Sequence, residues 1–194
     1  MEQSKKYELL NTDTIVLGDV TLYRIKALIS FGAVKKGELG GYVEKESNLC
    51  HSGNAWVSGN AKVNGDARVS GNAKVNGDAE VKGDARVYDN AWVTGNAKIT
   101  GNARVYDNAE VSDAEVTGNA RVYGNAWVSG NAWVYDNAKV SGDAWVSGDA
   151  WVYDNAEVSG NAWVTGDARV YGYAVVSSNA KFSDNAWVYG RQPK

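Results

Sequence analysis

One six-residue phrase governs this chain. It reads Gly/Asp, Asn/Asp, Ala, variable, Val, variable, as in Gly53-Asn54-Ala55-Trp56-Val57-Ser58. Between Gly53 and Tyr189 it recurs in 22 full-length copies and one copy short by a residue, with few departures such as Ile99, Tyr173, Ser178 and Phe182. Repetition at a fixed short period belongs to arrays in which each unit buries its apolar side against the next. Ala and Val stand two apart, so on a strand they face one side, while the residue between them and the residue after Val face the other. The Gly/Asp–Asn/Asp pair supplies a corner, because Gly, Asn and Asp enter the left-handed backbone region at little cost. Three such strands close one triangular coil, and successive coils pair as parallel strands about 4.8 Å apart. The expected fold class is all-β, a single-stranded parallel β-helix of nearly eight coils and about 35–40 Å in length.

An aliphatic residue every sixth position with a small one four later, as at Val57 and Ala61 and onward to Val188, resembles the hexapeptide-repeat left-handed parallel β-helix family. The Gly-Asn-Ala-x-Val wording is further similar to bacterial and phage proteins of the YdcK type. The resemblance implies the left hand of the helix, which the spacing alone does not. It also brings in the family's trimeric acyltransferases and carbonic anhydrases, whose active sites lie between subunits. The former use a His general base and the latter three His ligands on zinc. This chain has a single His, His51, so one subunit cannot supply the zinc set. The protruding loop with which such transferases hold their cofactor is missing from the repeat. His51 is therefore a weak catalytic candidate as a general base, set against a plain contact in the core or cap. No cofactor and no metal is expected, and the leaning is toward a protein that is not an enzyme.

Residues 1–38 do not repeat. Tyr7–Leu10, Thr14–Leu17 and Thr21–Leu28 predict two or three strands with a turn at Gly18-Asp19, forming a small β cap. A solenoid needs atypical ends to cover its bare rungs. Residues 39–189 are expected to be the β-helix and 190–194 a short tail that leaves the last rung thinly covered. The joining copies are degenerate. Leu39–Val43 is aligned with Val57–Ala61, which puts Val43 in an Ala slot; in Ser47–Ser52, Leu49 takes an Ala slot and His51 a Val slot. The short copy, Asp113–Thr117, lacks one corner residue and is expected to be a tolerated deletion.

The net charge of −3 argues against non-specific attraction to nucleic acid. The lone Cys50 excludes an internal disulfide framework. No apolar run is long enough to span a membrane and no signal-like segment opens the chain. A cytoplasmic location is the default expectation, with a place in a phage or other particle as the alternative.

Folding the sequence at the coil period sorts the outward residues into three faces. The first carries Trp56, Lys74, Trp92, Glu110, Trp127, Trp145, Trp163 and Lys181. The second carries Lys62, Glu80, Lys98, Glu115, Trp133, Trp151, Arg169 and Trp187, with Tyr135, Tyr153, Tyr171 and Tyr189 beside the last four. The third carries Arg68, Arg86, Arg104, Arg121, Lys139, Glu157 and Val175, with Tyr88, Tyr106 and Tyr123 beside the arginines. Trp127, Trp145, Trp163, Trp133, Trp151, Tyr135, Tyr153 and Trp187 are the expected binding residues. Exposed aromatic patches of this kind serve protein or self-association, with a glycan as the alternative ligand; such ladders also stabilise a sheet without any partner. For Arg68, Arg86, Arg104 and Arg121, stacking on the tyrosines with nearby Asp66, Asp84, Asp89 and Asp107 as counter-charges is favoured over nucleic-acid binding.

Overall fold

The computed structural model describes residues 5–192, so Met1–Ser4 and, in the expected tail, Pro193 and Lys194 lie outside it. Three sheets of eleven, eight and seven strands run along the molecule, parallel throughout the repeat. Each short strand of the repeat pairs with the strand three positions on, so three strands complete one coil. The register is strict. Trp127 faces Trp145 and Val128 faces Val146 in the next coil, and the same pairing is kept across the short copy, where Lys98 faces Glu115. The sheet that starts at Trp56–Val57 stacks eight strands, in accord with the coil count expected from the repeat. No helix of the described residues is long and apolar enough to cross a membrane.

The inward slots behave as the two-residue period demands. Ala and Val from Ala55 to Val170 are essentially fully buried and form one continuous apolar column. Corner chemistry divides between the two corner residues. The first of the pair takes the left-handed backbone, with φ +65° at Gly59 and +58° at Asp89. The second does not, and its work is different. Asn54, Asn72, Asn90, Asn108 and Asn125 each donate a side-chain N–H to the residue one coil on, at 2.9–3.1 Å, and the run ends on Asp143. A carboxylate only accepts, so Asp closes such ladders, as Asp78 and Asp149 also do.

The short copy keeps its register by a side-chain substitution for backbone. Elsewhere on this corner the second residue's N–H meets a carbonyl one coil on, as from Asn60 to Gly77 and from Asp78 to Gly95, both 2.9 Å. At Asn96 that carbonyl is replaced by the Asp113 carboxylate, 2.8 Å from the backbone N–H. Ser112 donates to the other carboxylate oxygen at 2.9 Å. These bonds hold the Asp113 carboxyl below the usual carboxylate range.

At the N-terminal end, β1 (Tyr7–Leu17) and β2 (Val20–Ala27) form an antiparallel hairpin turning at Gly18-Asp19. The two runs Tyr7–Leu10 and Thr14–Leu17 belong to a single strand, interrupted by a register shift between Leu10 and Thr14. β2 pairs with β3 (Leu39–Val43), which then pairs in parallel with the repeat strand Lys62–Val63. Here the register differs from the expected alignment by two residues. Val43 lies opposite Val63 and Leu49 bridges Val69, so both occupy Val slots. A shift of two preserves the inward face, which is why the degenerate copies could not settle it. Close approach settles it instead: a Cβ on Gly40 would sit 2.6 Å from the Val57 carbonyl oxygen, and one on Gly41 2.5 Å from that of Ala61.

The cap also satisfies the carbonyls that a first coil leaves bare. In the interior, each Ala carbonyl accepts a backbone N–H from the preceding coil, as Ala73 does from Trp56. At the start, Tyr42 N–H serves Ala61 at 2.8 Å, the Lys6 ammonium serves Ala55 at 2.8 Å, and the Asn48 side-chain amide serves Ala67 at 2.9 Å. Leaving such buried groups unpaired costs free energy comparable to a lost hydrogen bond.

Candidate functional site

The outward slots sort into columns, and three of these are chemically distinct. On the first face Trp127 and Trp145 stack with centroids 4.9 Å apart and planes 9° from parallel. Trp163 continues the column at 5.0 Å with a tilt of 55°, and the Lys181 ammonium lies 4.7 Å from its centroid. Trp56, in the same sequence slot, is not part of this surface. It is buried under the cap, edge-on to Tyr7 and Phe31.

On the second face Trp133 and Trp151 stack at 5.6 Å. The Arg169 guanidinium then lies between Trp151 and Trp187, 4.9 and 5.1 Å from their rings. Beside this column Tyr135, Tyr153, Tyr171 and Tyr189 form another, with centroid separations of 4.9–5.2 Å. Edge-to-face contacts tie the two together at Trp133–Tyr135, Tyr135–Trp151 and Tyr171–Trp187. Offset stacks, edge-to-face pairs and a cation between rings are favourable geometries for aromatic groups. The result is a continuous lattice in which most rings turn their faces to one another along the rod. Burial pushes the Tyr135 phenol up to about 12, so it is a neutral donor.

The eight aromatic residues singled out in the sequence thus fall into two assemblies, Trp127–Trp145–Trp163 on one face and Trp133, Trp151, Trp187, Tyr135 and Tyr153 on the next. Arg169 was not singled out, although its place between two tryptophans in the coil register signals this role. Exposure peaks on the last coil, at 65% for Trp187 and 60% for Tyr189, against 41% for Trp127, Trp133 and Trp163 and 43% for Trp92 in the early half.

On the third face Arg68, Arg86, Arg104 and Arg121 stand in unbroken register. The expected stacking on tyrosines and ion pairing with corner acids are not formed. Tyr88, Tyr106 and Tyr123 stack on each other at 4.9 and 5.0 Å, both pairs within 2° of parallel, and among the described residues none of the four arginines lies over a ring. Asp66 is held by Lys45 at 2.8 Å, and Asp107 accepts from the Gly124 backbone at 3.1 Å. Among the described residues, none of the four arginines has a carboxylate within 4.0 Å.

His51 lies in the cap junction. Its Nδ1 accepts the Lys6 backbone N–H at 3.1 Å, its ring stacks on Tyr7 at 4.4 Å, and Nε2 is buried without a partner. Burial lowers its pKa. A general base needs an accessible lone pair, and here the available one is already engaged.

Fold and surface together define a parallel β-solenoid built from hexapeptide repeats, with ordered side-chain columns outside. Against known families, the model of the YdcK beta solenoid repeat matches residues 114–130 and 120–136. With its stacked parallel coils, the chain is a β-helix protein whose repeat is similar to the YdcK type. No curated protein matches it in sequence.

Proposed function

We propose that this is a non-enzymatic scaffold whose late aromatic columns dock a protein surface, either a second copy of the chain or another protein. One observation carries the reading: Trp127, Trp133, Trp163, Trp187 and Tyr189 are exposed on two neighbouring faces of the late half, against Trp92 as the exposed tryptophan of the early half. Aromatic side chains held in a fixed lattice lose little freedom on association, and tryptophan and tyrosine are typical anchors of protein interfaces. A sugar would need an open ring face on which to stack, and here the faces largely meet each other, which favours protein over glycan for these columns.

The test replaces Trp127, Trp145 and Trp163 by Ser in one variant and Trp133, Trp151 and Trp187 by Ser in another. Sedimentation velocity across a concentration series reads self-association, and capture by the immobilised protein reads other partners. Loss of association with a preserved β-rich spectrum is the expected result. A monomeric wild-type protein whose capture profile is the same as that of both variants would defeat the proposal.

A further inference from the structure

Among the described residues, the arginine column is a run of four like charges in successive coils with no carboxylate within 4.0 Å. Where charges follow one another in other outward slots, they alternate in sign. On the second face Lys62, Glu80, Lys98 and Glu115 follow one another in register, with Lys62 3.6 Å from Glu80. On the third face itself the alternation returns directly after the arginines, where Lys139 meets Glu157 at 2.6 Å. Four successive coils carry Arg without a carboxylate partner, although like charges directly opposite one another on a sheet are destabilising. The feature is local: the protein as a whole is acidic, with net charge −3.

Next to the arginines runs a second row, Tyr88, Tyr106 and Tyr123, with Ser70 ahead of it in the same slot. A shallow groove at the start of the two rows is lined by Arg68, Ser70, Arg86, Tyr88 and Arg104. Burial raises the pKa of the Tyr88 and Tyr106 phenols, so both hydroxyls remain donors at neutral pH. The face therefore offers one guanidinium per coil, about 4.8 Å apart, and a parallel row of hydroxyl groups. Arg is suited to bidentate capture of planar anions such as carboxylates.

We propose that this face binds a linear polysaccharide bearing carboxylates along its chain, the arginines taking the carboxylates and the tyrosine hydroxyls taking sugar hydroxyls. A single-stranded nucleic acid fits the same charge but not the same surface. Sequence-tolerant binding of single strands relies on bases stacking on open aromatic rings, and these three tyrosines are stacked on one another. The site is separate from the aromatic columns and stands whether or not those dock a protein.

Affinity electrophoresis through gels containing polygalacturonate, with neutral dextran as control, tests the proposal. The wild-type protein is expected to be retarded by polygalacturonate only, and less so as salt is raised. The variant R86Q/R104Q should lose at least about tenfold in apparent affinity, as two charge-assisted contacts are removed. R86K/R104K should fall between, because it keeps the charge without the planar fork. The triple variant W127S/W145S/W163S should bind polygalacturonate like wild type, which separates this site from the protein-docking reading. Circular dichroism checks the fold, and if R86Q/R104Q does not fold, the single variants R68Q and R121Q carry the comparison. Absence of retardation, equal retardation of the Gln variants, or tighter binding of an oligothymidylate or polyphosphate at matched charge would overturn the assignment.

Discussion

The two halves of the rod, before and after the short copy at Asp113–Thr117, share an interior and differ outside. Val87 in the early half and Val158 in the late half occupy the same slot of the same sheet, and both are fully buried. Outside, the early half presents Arg68, Arg86 and Arg104, with Arg121 just past the short copy, and the alternating column from Lys62 to Lys98 that ends on Glu115 within it. The late half presents Trp133–Trp187 and Tyr135–Tyr189. The backbone ladder and the Ala/Val column do not distinguish between these choices, since each coil contacts only its neighbours through groups that repeat unchanged. The outward residues are thus less constrained by the fold than the inward ones, which lets the two halves differ outside.

If the interiors are equivalent, Val87→Ala and Val158→Ala should cost the same. We expect about 2–3 kcal/mol each in denaturant unfolding, from lost transfer free energy and a small cavity. A difference above about 1 kcal/mol between them would show that the outer columns support the core unequally.

A smaller effect separates the two ends of these halves. The early half begins under a cap in which Lys6 serves the Ala55 carbonyl. At the late end Ala180, Phe182, Ala186 and Val188 are only partly buried. Lys6→Met leaves the Ala55 carbonyl without its donor and should cost about 1–2 kcal/mol. It should also remove a pH signature. Burial lowers the Lys6 pKa to about 8 from the ordinary lysine value of 10.5, with the Cys50 thiolate opposing. Above about pH 8 the folded protein releases a proton that the unfolded chain still holds, so stability rises with pH in that window. Measured between about pH 7.5 and 9.5 in a Cys50→Ser background, the rise should be present with Lys6 and weaker with Met.

The smallest effect lies at the seam. Asp113→Ala removes the carboxylate that replaces a backbone carbonyl for Asn96, at an exposed corner, and should cost less than about 1 kcal/mol. Asp113→Asn keeps an acceptor and should cost less still. Because the Asp113 pKa is lowered in the folded protein, its contribution is present above the ordinary carboxylate range and fades as pH falls through the folded value. Equal behaviour of the Ala and Asn variants from neutral to acid pH would mean that the corner closes without this bond.

Much of the molecule could be read from the chain, and the exceptions are specific. Inward Ala and Val, the coil period and the sorting of Trp127, Trp145 and Trp163 into one column follow from spacing, because strand periodicity and a fixed repeat leave one arrangement. Val43 and Leu49 were misaligned because positions two apart share a face. The second corner residue reads as a turn former, yet its main task is the amide ladder from Asn54 to Asp143, a bond between coils that no single hexad displays. Trp56 reads like Trp127 and is buried instead, because the cap folds over it.

The hexad by itself determined the rod: which residues point inward, where each corner falls and which outward residues share a column. Only the tertiary structure decided what each column does with its neighbours. It buried Trp56, seated Arg169 between Trp151 and Trp187, engaged His51 with Lys6 and left four arginines without a carboxylate within 4.0 Å among the described residues. The physical reason is range. A six-residue pattern acts through local backbone geometry and burial, whereas these pairings are made between residues a full coil or more apart, where side-chain geometry selects the partner.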